Sequence, residues 1–388
     1  MKNNIERMLL GIYVHVPFCV QKCRYCDFCS FADLNDDVKA EYKKALITDI
    51  RSAAEYFGHH TVDSIFFGGG TPTCLFADDL GKILDAILDG YNVSNEAEIT
   101  LECNPATANK DDFAALVSKG FNRLSMGLQS VHERELSELG RIHSFEDFKR
   151  TYADARAAGF ENINLDLMYG IPFQTEGSFA ETLDTVISFA PEHISAYALK
   201  IEPGTEFYRR CEELVLPDED AEYNMYKLAD VKLSEAGYEH YEISNYAKTG
   251  RKSKHNLKYW SCDEYAGFGV AAHSLIENTR YSTTSSIKKY LAHFNGADPA
   301  THYKIEEKLS AEALAEEYIM MRLRLSDGLS PDTYNKKYQT ELDRKYIERM
   351  YPFIKSGHIK NENGIYCLTA DGMYVSNYIL SEILDLDI

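Results

Sequence analysis

Cys19, Cys23 and Cys26 stand at CxxxCxxC spacing inside Tyr13–Ser30 (YVHVPFCVQKCRYCDFCS), directly behind a short apolar run. Three thiolates this close cannot all be used in disulfides. Soft sulfur donors converging from one loop suit a metal ion or an iron–sulfur cluster. Zinc sites usually add a second CxxC pair downstream, and none follows here. A 4Fe–4S cluster held by three cysteines leaves one iron without a protein ligand, and chemistry can happen at that open iron. The plain alternative is three reduced core cysteines at chance spacing. Other candidates close apolar runs further along: Gly68–Pro72 (GGGTP), Glu102 behind ITL, Gln129, and Asp166 among Asn164, Leu165 and Leu167. Successive glycines let backbone approach a charged ligand, although a tight turn explains them as well. A buried Asp166 needs a ligand or a donor partner.

CxxxCxxC behind a first strand resembles the signature of radical S-adenosylmethionine (SAM) enzymes, in which SAM chelates the fourth iron. YVHVPFC and CRYCDF resemble one branch, that of oxygen-independent coproporphyrinogen III oxidase and its heme-chaperone relative. The resemblance implies a 4Fe–4S cluster on Cys19, Cys23 and Cys26. It also implies SAM held by Gly69, Gly70, Thr71, Glu102, Gln129, Arg141 and Asp166. Tyr13 and Tyr25 match positions that pack on SAM or cluster, and Ala198 an adenosine contact made through backbone. Without the resemblance, Arg141 reads as a surface arginine, and the two tyrosines and His15 as core groups.

The oxidase pattern is CxxxCxxCxC, but Phe28 stands at its fourth cysteine, and Cys29 comes one residue later as a bystander thiol. Cys26-Asp27-Phe28 resembles the chaperone pattern. Eighteen residues precede Cys19, so the oxidase's N-terminal extension is expected to be missing. HNLKYW (His255–Trp260) resembles the chaperone's HNxxYW motif, and imidazole is a common heme ligand. His255 is therefore the expected heme ligand; a hydrogen-bonded histidine in a structural plug is the alternative. The expectation is a heme chaperone that hands heme to membrane hemoproteins such as respiratory-chain components. Oxidative decarboxylation of coproporphyrinogen III is the alternative. A flavodoxin- or ferredoxin-type electron donor and a homodimer are family expectations.

Such residues need a scaffold. Strand-like runs at Gly11–Phe18, Ser64–Gly70, Glu98–Pro105, Arg123–Ser130, Asn162–Gly170 and His193–Gly204 alternate with helical patterns. Six βα units predict a parallel sheet, with working residues at the C-terminal strand ends. Fewer than eight units, together with the resemblance, imply a partial (β/α)6 TIM-like barrel. Beyond residue 204 the alternation fades: 217–236 reads as helix, 237–246 as strand, and 265–274 as irregular. A boundary near Asp298-Pro299 divides a barrel domain (1–298) from a C-terminal domain (299–388). In the latter, helices at 310–325 and 341–356, a hairpin turning at Asn363-Gly364 and a last helix capped by Thr369 predict a small winged-helix-like α+β module.

Composition narrows the function classes. The 388 residues carry 61 acidic and 41 basic side chains, a net charge of −20 that argues against nucleic acid as partner. Nine cysteines, no secretory pattern at the N-terminus and no long apolar stretch predict a cytoplasmic protein, touching membrane proteins only peripherally.

Overall fold

The computed structural model describes residues 8–57, 59–296 and 303–386. Six parallel strands form the frame: β1 (Leu9–Val16), β2 (Thr61–Gly69), β3 (Val93–Cys103), β4 (Arg123–Gln129), β5 (Ile163–Tyr169) and β6 (His193–Ala198). Helices α1 (Asp36–Phe57), α2 (Ala77–Gly90), α3 (Lys110–Lys119), α4 (Glu133–Leu139), α5 (Phe145–Ala158) and α6 (Glu176–Ser188) connect them. Their starts are written in the sequence: Asn109 and Ser144 each close a capping box on the third helical residue. This is the expected partial barrel.

Alternation along each strand divides its two faces. Leu10, Ile12, Val14 and Val16 of β1 lie in the apolar core, while Tyr13 and His15 take the other face. Register carries that second face across the sheet. Tyr13 pairs with Phe66, Phe66 with Thr100 and Thr100 with Arg123; one step up, Glu102 pairs with Ser125, Ser125 with Asn164 and Asn164 with His193. A polar layer thus lines the inside of the curved sheet.

The later chain departs from the sequence reading. Strand β6 stops at Ala198, and 237–246 is two strands, β7 (Glu239–Glu242) and β8 (Asn245–Ala247), after α7 (Glu219–Glu235). Residues 265–274 are not irregular. They contain β9 (Tyr265–Phe268), which pairs parallel with β1, and the start of β10 (His273–Ile276). Strands β11 (Thr279–Thr283) and β12 (Tyr303–Lys308) complete a twelve-stranded sheet ordered β12-β11-β10-β9-β1-β2-β3-β4-β5-β6-β8-β7. Between β8 and β9 lies α8 (Lys254–Trp260), and between β11 and β12 lies α9 (Ile287–Phe294). Asp298 and Pro299 fall outside the described residues, and β12 beyond them pairs with β11.

The C-terminal module contains α10 (Ala311–Leu323), α11 (Pro331–Tyr338), α12 (Arg344–Lys355), a hairpin of β13 (Ile359–Glu362) and β14 (Ile365–Leu368), and α13 (Ala370–Tyr374) with α14 (Ser376–Leu384). Asn363 and Gly364 both have positive φ, as a tight hairpin turn demands. Thr369 caps α13 by accepting from the Gly372 N–H at 3.2 Å, and a break at Val375 splits the expected last helix.

Candidate functional site

The cysteine loop leaves the top of β1 and is fastened at several points. The Arg24 guanidinium donates to the Ser137 and Glu138 carbonyls at the end of α4, both at 3.1 Å, and Gln21 donates to the Gly140 carbonyl at 3.0 Å. His15 Nε2 meets the Cys29 carbonyl at 2.8 Å. Cys19, Cys23 and Cys26 are free, partly buried thiols. Burial pushes the Cys26 thiol up, and Cys23 and Cys19 are near enough to add to it. Cys29 turns away, its thiol directed at the Ser285 carbonyl at 3.7 Å. Among the described residues no three His, Cys, Asp or Glu side chains gather on one ion position. A four-iron cluster asks something different, since each thiolate takes its own iron, and three unpaired thiols on one anchored loop fit that demand.

The glycine run at the end of β2 lies against this loop. The Gly70 N–H donates to Val16 O at 2.9 Å and the Thr71 N–H to Phe18 O at 2.7 Å. A Cβ on Gly69 (φ +108°) would stand 2.4 Å from the His15 ring, and one on Gly70 would stand 2.7 Å from the Phe18 carbonyl. Close approach therefore excludes side chains here. The Gly69 N–H donates to Glu102 Oε2 at 3.2 Å, so the N–H groups of Gly69, Gly70 and Thr71 are all engaged within the protein.

Glu102 and Asp166 enter the mouth from β3 and β5. Burial first, and the Asp166 charge second, push the Glu102 carboxyl up to about 8. Burial also raises Asp166, against the pull of Asn164 (2.7 Å) and Ser125 (3.3 Å), the donor partners its position required. Gln129 ends β4 in the left-handed region (φ +72°), and Ala198 ends β6. Arg141 is no surface group: Nη1 donates to Asn104 Oδ1 at 2.7 Å and Nη2 to the Tyr25 hydroxyl at 2.9 Å. Burial works against its charge, but Tyr25, Cys23 and Asp166 outweigh it and keep the guanidinium protonated. Its Nε is buried with no partner, an open donor at the site.

Tyr13 sits lower. Its hydroxyl meets His15 Nδ1 at 3.0 Å, and its ring stacks on Phe66 and on His255. His255 belongs to α8, which lies beneath this aromatic layer and closes the barrel floor. It is 1 % exposed; Nδ1 meets Ser64 Oγ at 3.1 Å and Nε2 the Tyr259 hydroxyl at 2.8 Å. Burial, with the nearby Lys258 and Arg123 charges, pulls it down to about 3. The structure thus brings the cysteines, Gly69–Thr71, Glu102, Gln129, Arg141 and Asp166 to the mouth, and places His255 below with neither ring nitrogen free. Sequence reading missed Asn104, which lies just beyond β3, two residues after Glu102 and so on the same face. The alternation of β3 was the available signal.

Residues 13–186 match the Radical SAM superfamily and residues 309–375 the HemN C-terminal domain. Fold and cysteine loop together place the chain in the radical SAM class. It is 35% identical to the heme chaperone HemW of Bacillus subtilis over 96% of this chain and 98% of that one. To HemW of Escherichia coli it is 36% identical over 82% and 83% of the two chains. The structure of the E. coli coproporphyrinogen III oxidase HemN, at 22% identity, superposes with a TM-score of 0.84 over 97% of this chain and 90% of that one, a likeness of fold. The chain belongs to the HemW family.

Proposed function

We propose that this chain is a heme chaperone that carries a SAM-ligated 4Fe–4S cluster on Cys19, Cys23 and Cys26. The observation that carries the reading is identity of about 35% to proteins named heme chaperone HemW along nearly the whole chain. Phe28 at the place of the oxidase's fourth cysteine supports the same branch. Cys19, Cys23 and Cys26 would hold the cluster, which would supply an electron to SAM bound at its open iron. Because the N–H groups of the GGGT turn are engaged, the turn would meet the ammonium of SAM with its carbonyls. Arg141, with an open Nε, suits the SAM carboxylate, and Glu102, Gln129 and Asp166 suit the polar groups of adenosine or the ammonium.

Heme and its delivery to membrane hemoproteins, with a small electron-transfer protein as reductant and a homodimer as working unit, complete the reading. No helix among the described residues is long and apolar enough to cross a membrane, so contact with a membrane recipient would be peripheral. His255 enters as heme ligand only by giving up Tyr259 or Ser64. Tyr259→Phe removes the hydroxyl at Nε2, and hemin titration of this variant is expected to give several-fold tighter binding than wild type. Adding His255→Ala should abolish that gain. Unchanged affinity in Tyr259→Phe sinks His255 as the ligand. Repeated turnover of coproporphyrinogen III to protoporphyrinogen IX, in an anaerobic assay with SAM and a low-potential reductant, sinks the chaperone assignment itself.

A further inference from the structure

A chain of hydrogen bonds ends on one cluster cysteine. Arg141 Nη1 donates to Asn104 Oδ1 at 2.7 Å, Asn104 Nδ2 donates to Thr71 Oγ1 at 2.8 Å, and Thr71 Oγ1 donates to Cys19 Sγ at 3.7 Å. Its direction is not free. A guanidinium can only donate, so the amide of Asn104 must turn its oxygen to Arg141 and its NH2 to Thr71. Thr71 is 3 % exposed, and its oxygen receives that N–H. Its single hydroxyl proton is therefore left to point at sulfur. Cys74 also lies near the Thr71 hydroxyl, but the hydrogen bond that the geometry gives this hydroxyl runs to Cys19 Sγ.

We infer that Arg141 and Asn104 are positioning residues that orient the Thr71 hydroxyl onto the Cys19 sulfur and so hold the reduction potential of the cluster up. A hydrogen bond to a cluster sulfur stabilises the more negative, reduced state, and it is one of the levers that set such potentials. The inference rests on the cluster reading above. It adds a function for Asn104 and a second one for Arg141, and it acts on Cys19 rather than on SAM.

The test is a redox titration of the reconstituted full-length protein without SAM, following the reduced-cluster signal by electron paramagnetic resonance. Thr71→Ser keeps the hydroxyl and should keep the wild-type midpoint. Thr71→Val, nearly isosteric, should move it to more negative potential. Asn104→Asp cannot donate to Thr71; it would draw the hydroxyl proton to its own carboxylate and should also lower the midpoint, by lost hydrogen bond plus added charge. The decisive comparison is the double variant. If the chain acts as one unit, adding Thr71→Val to Asn104→Asp changes nothing further, whereas independent effects add in full. An unshifted Thr71→Val, or full additivity, overturns the inference while leaving the cluster in place. A wild type that takes up no four-iron cluster, judged by iron and sulfide content, overturns the cluster reading and this inference with it.

Discussion

At the scale of single residues, the site is a set of buried charges that only partly balance. Glu102 and Asp166 share the polar inner face with Arg123, itself 2 % exposed and 3.9 Å from Glu98. A Glu102 carboxyl held near 8, against 4.5 in the ordinary case, binds its proton more tightly folded than unfolded. That makes the folded state lose stability as pH rises from about 4.5 to about 8, by up to roughly 1.4 kcal/mol per pH unit for this one group. Below 4.5 both states are protonated and the difference vanishes; above 8 both are ionised and the loss is complete. Glu102→Gln keeps an acceptor for the Gly69 N–H and removes the titration. Urea unfolding between pH 5 and 9 should show a shallower fall for the variant than for wild type; parallel curves would assign the pH response to other groups. The chemical identities at this scale were legible: cysteine spacing, the glycine run and the strand-end polar residues stood out. Asn104 did not: alternation beyond Glu102 could place it on the same face, but its role lies in what its two ends touch, Arg141 and Thr71, and alternation does not record that.

At the scale of elements, the tight contact between the β2 end and the cysteine loop makes one glycine far more demanding than others. Gly69 needs a left-handed backbone and has the His15 ring where a Cβ would go; Gly237, also at positive φ, faces open space. Gly69→Ala should therefore cost about 2–4 kcal/mol through strain and overpacking together, and Gly237→Ala only about 1 kcal/mol through strain. Equal urea midpoints for the two variants would contradict this packing account. The six βα units could be read in advance because each strand is a short β-rich run with apolar residues at alternate positions, closed by a turn signal, and the helices carry caps such as Asn109 and Ser144. Strand β9 could not. It finds β1 across some 250 residues of chain, and a four-residue YAGF segment has no periodicity long enough to announce a strand. The floor helix α8 was hidden for the same reason. At seven residues it is stable only through what it packs against, its buried Lys258 paired with Asp63 at 2.7 Å and its His255 within the aromatic layer.

At the scale of the whole molecule, the late chain closes what the early chain opens. The Tyr290 and Tyr303 hydroxyls donate to Asp49 of α1 at 2.7 and 2.9 Å, and the Tyr42 hydroxyl bridges His15 O and the Val270 N–H. Tyrosine suits such seams, since its ring fills apolar space and its hydroxyl satisfies a polar group within it. The C-terminal module reaches further and holds the floor. Lys337 of α11 donates to Ser261 O at 2.7 Å and Cys262 O at 3.4 Å, and pairs with Asp263 at 3.1 Å, just past the end of α8. A cation there meets carbonyls that the helix leaves unpaired and the negative end of its dipole, an interaction of about 0.3–1 kcal/mol at a part-exposed position. Global stability will therefore barely move in Lys337→Met, but α8 is short enough for that loss to matter locally. Hydrogen exchange should quicken in the peptide covering 254–263 and stay unchanged in β4, the fully buried strand. Exchange that rises equally in both segments would mean the module supports the barrel as a whole, and no rise in either would mean α8 is held from the barrel side alone, through Lys258, His255 and the Glu98 bond to the His255 N–H.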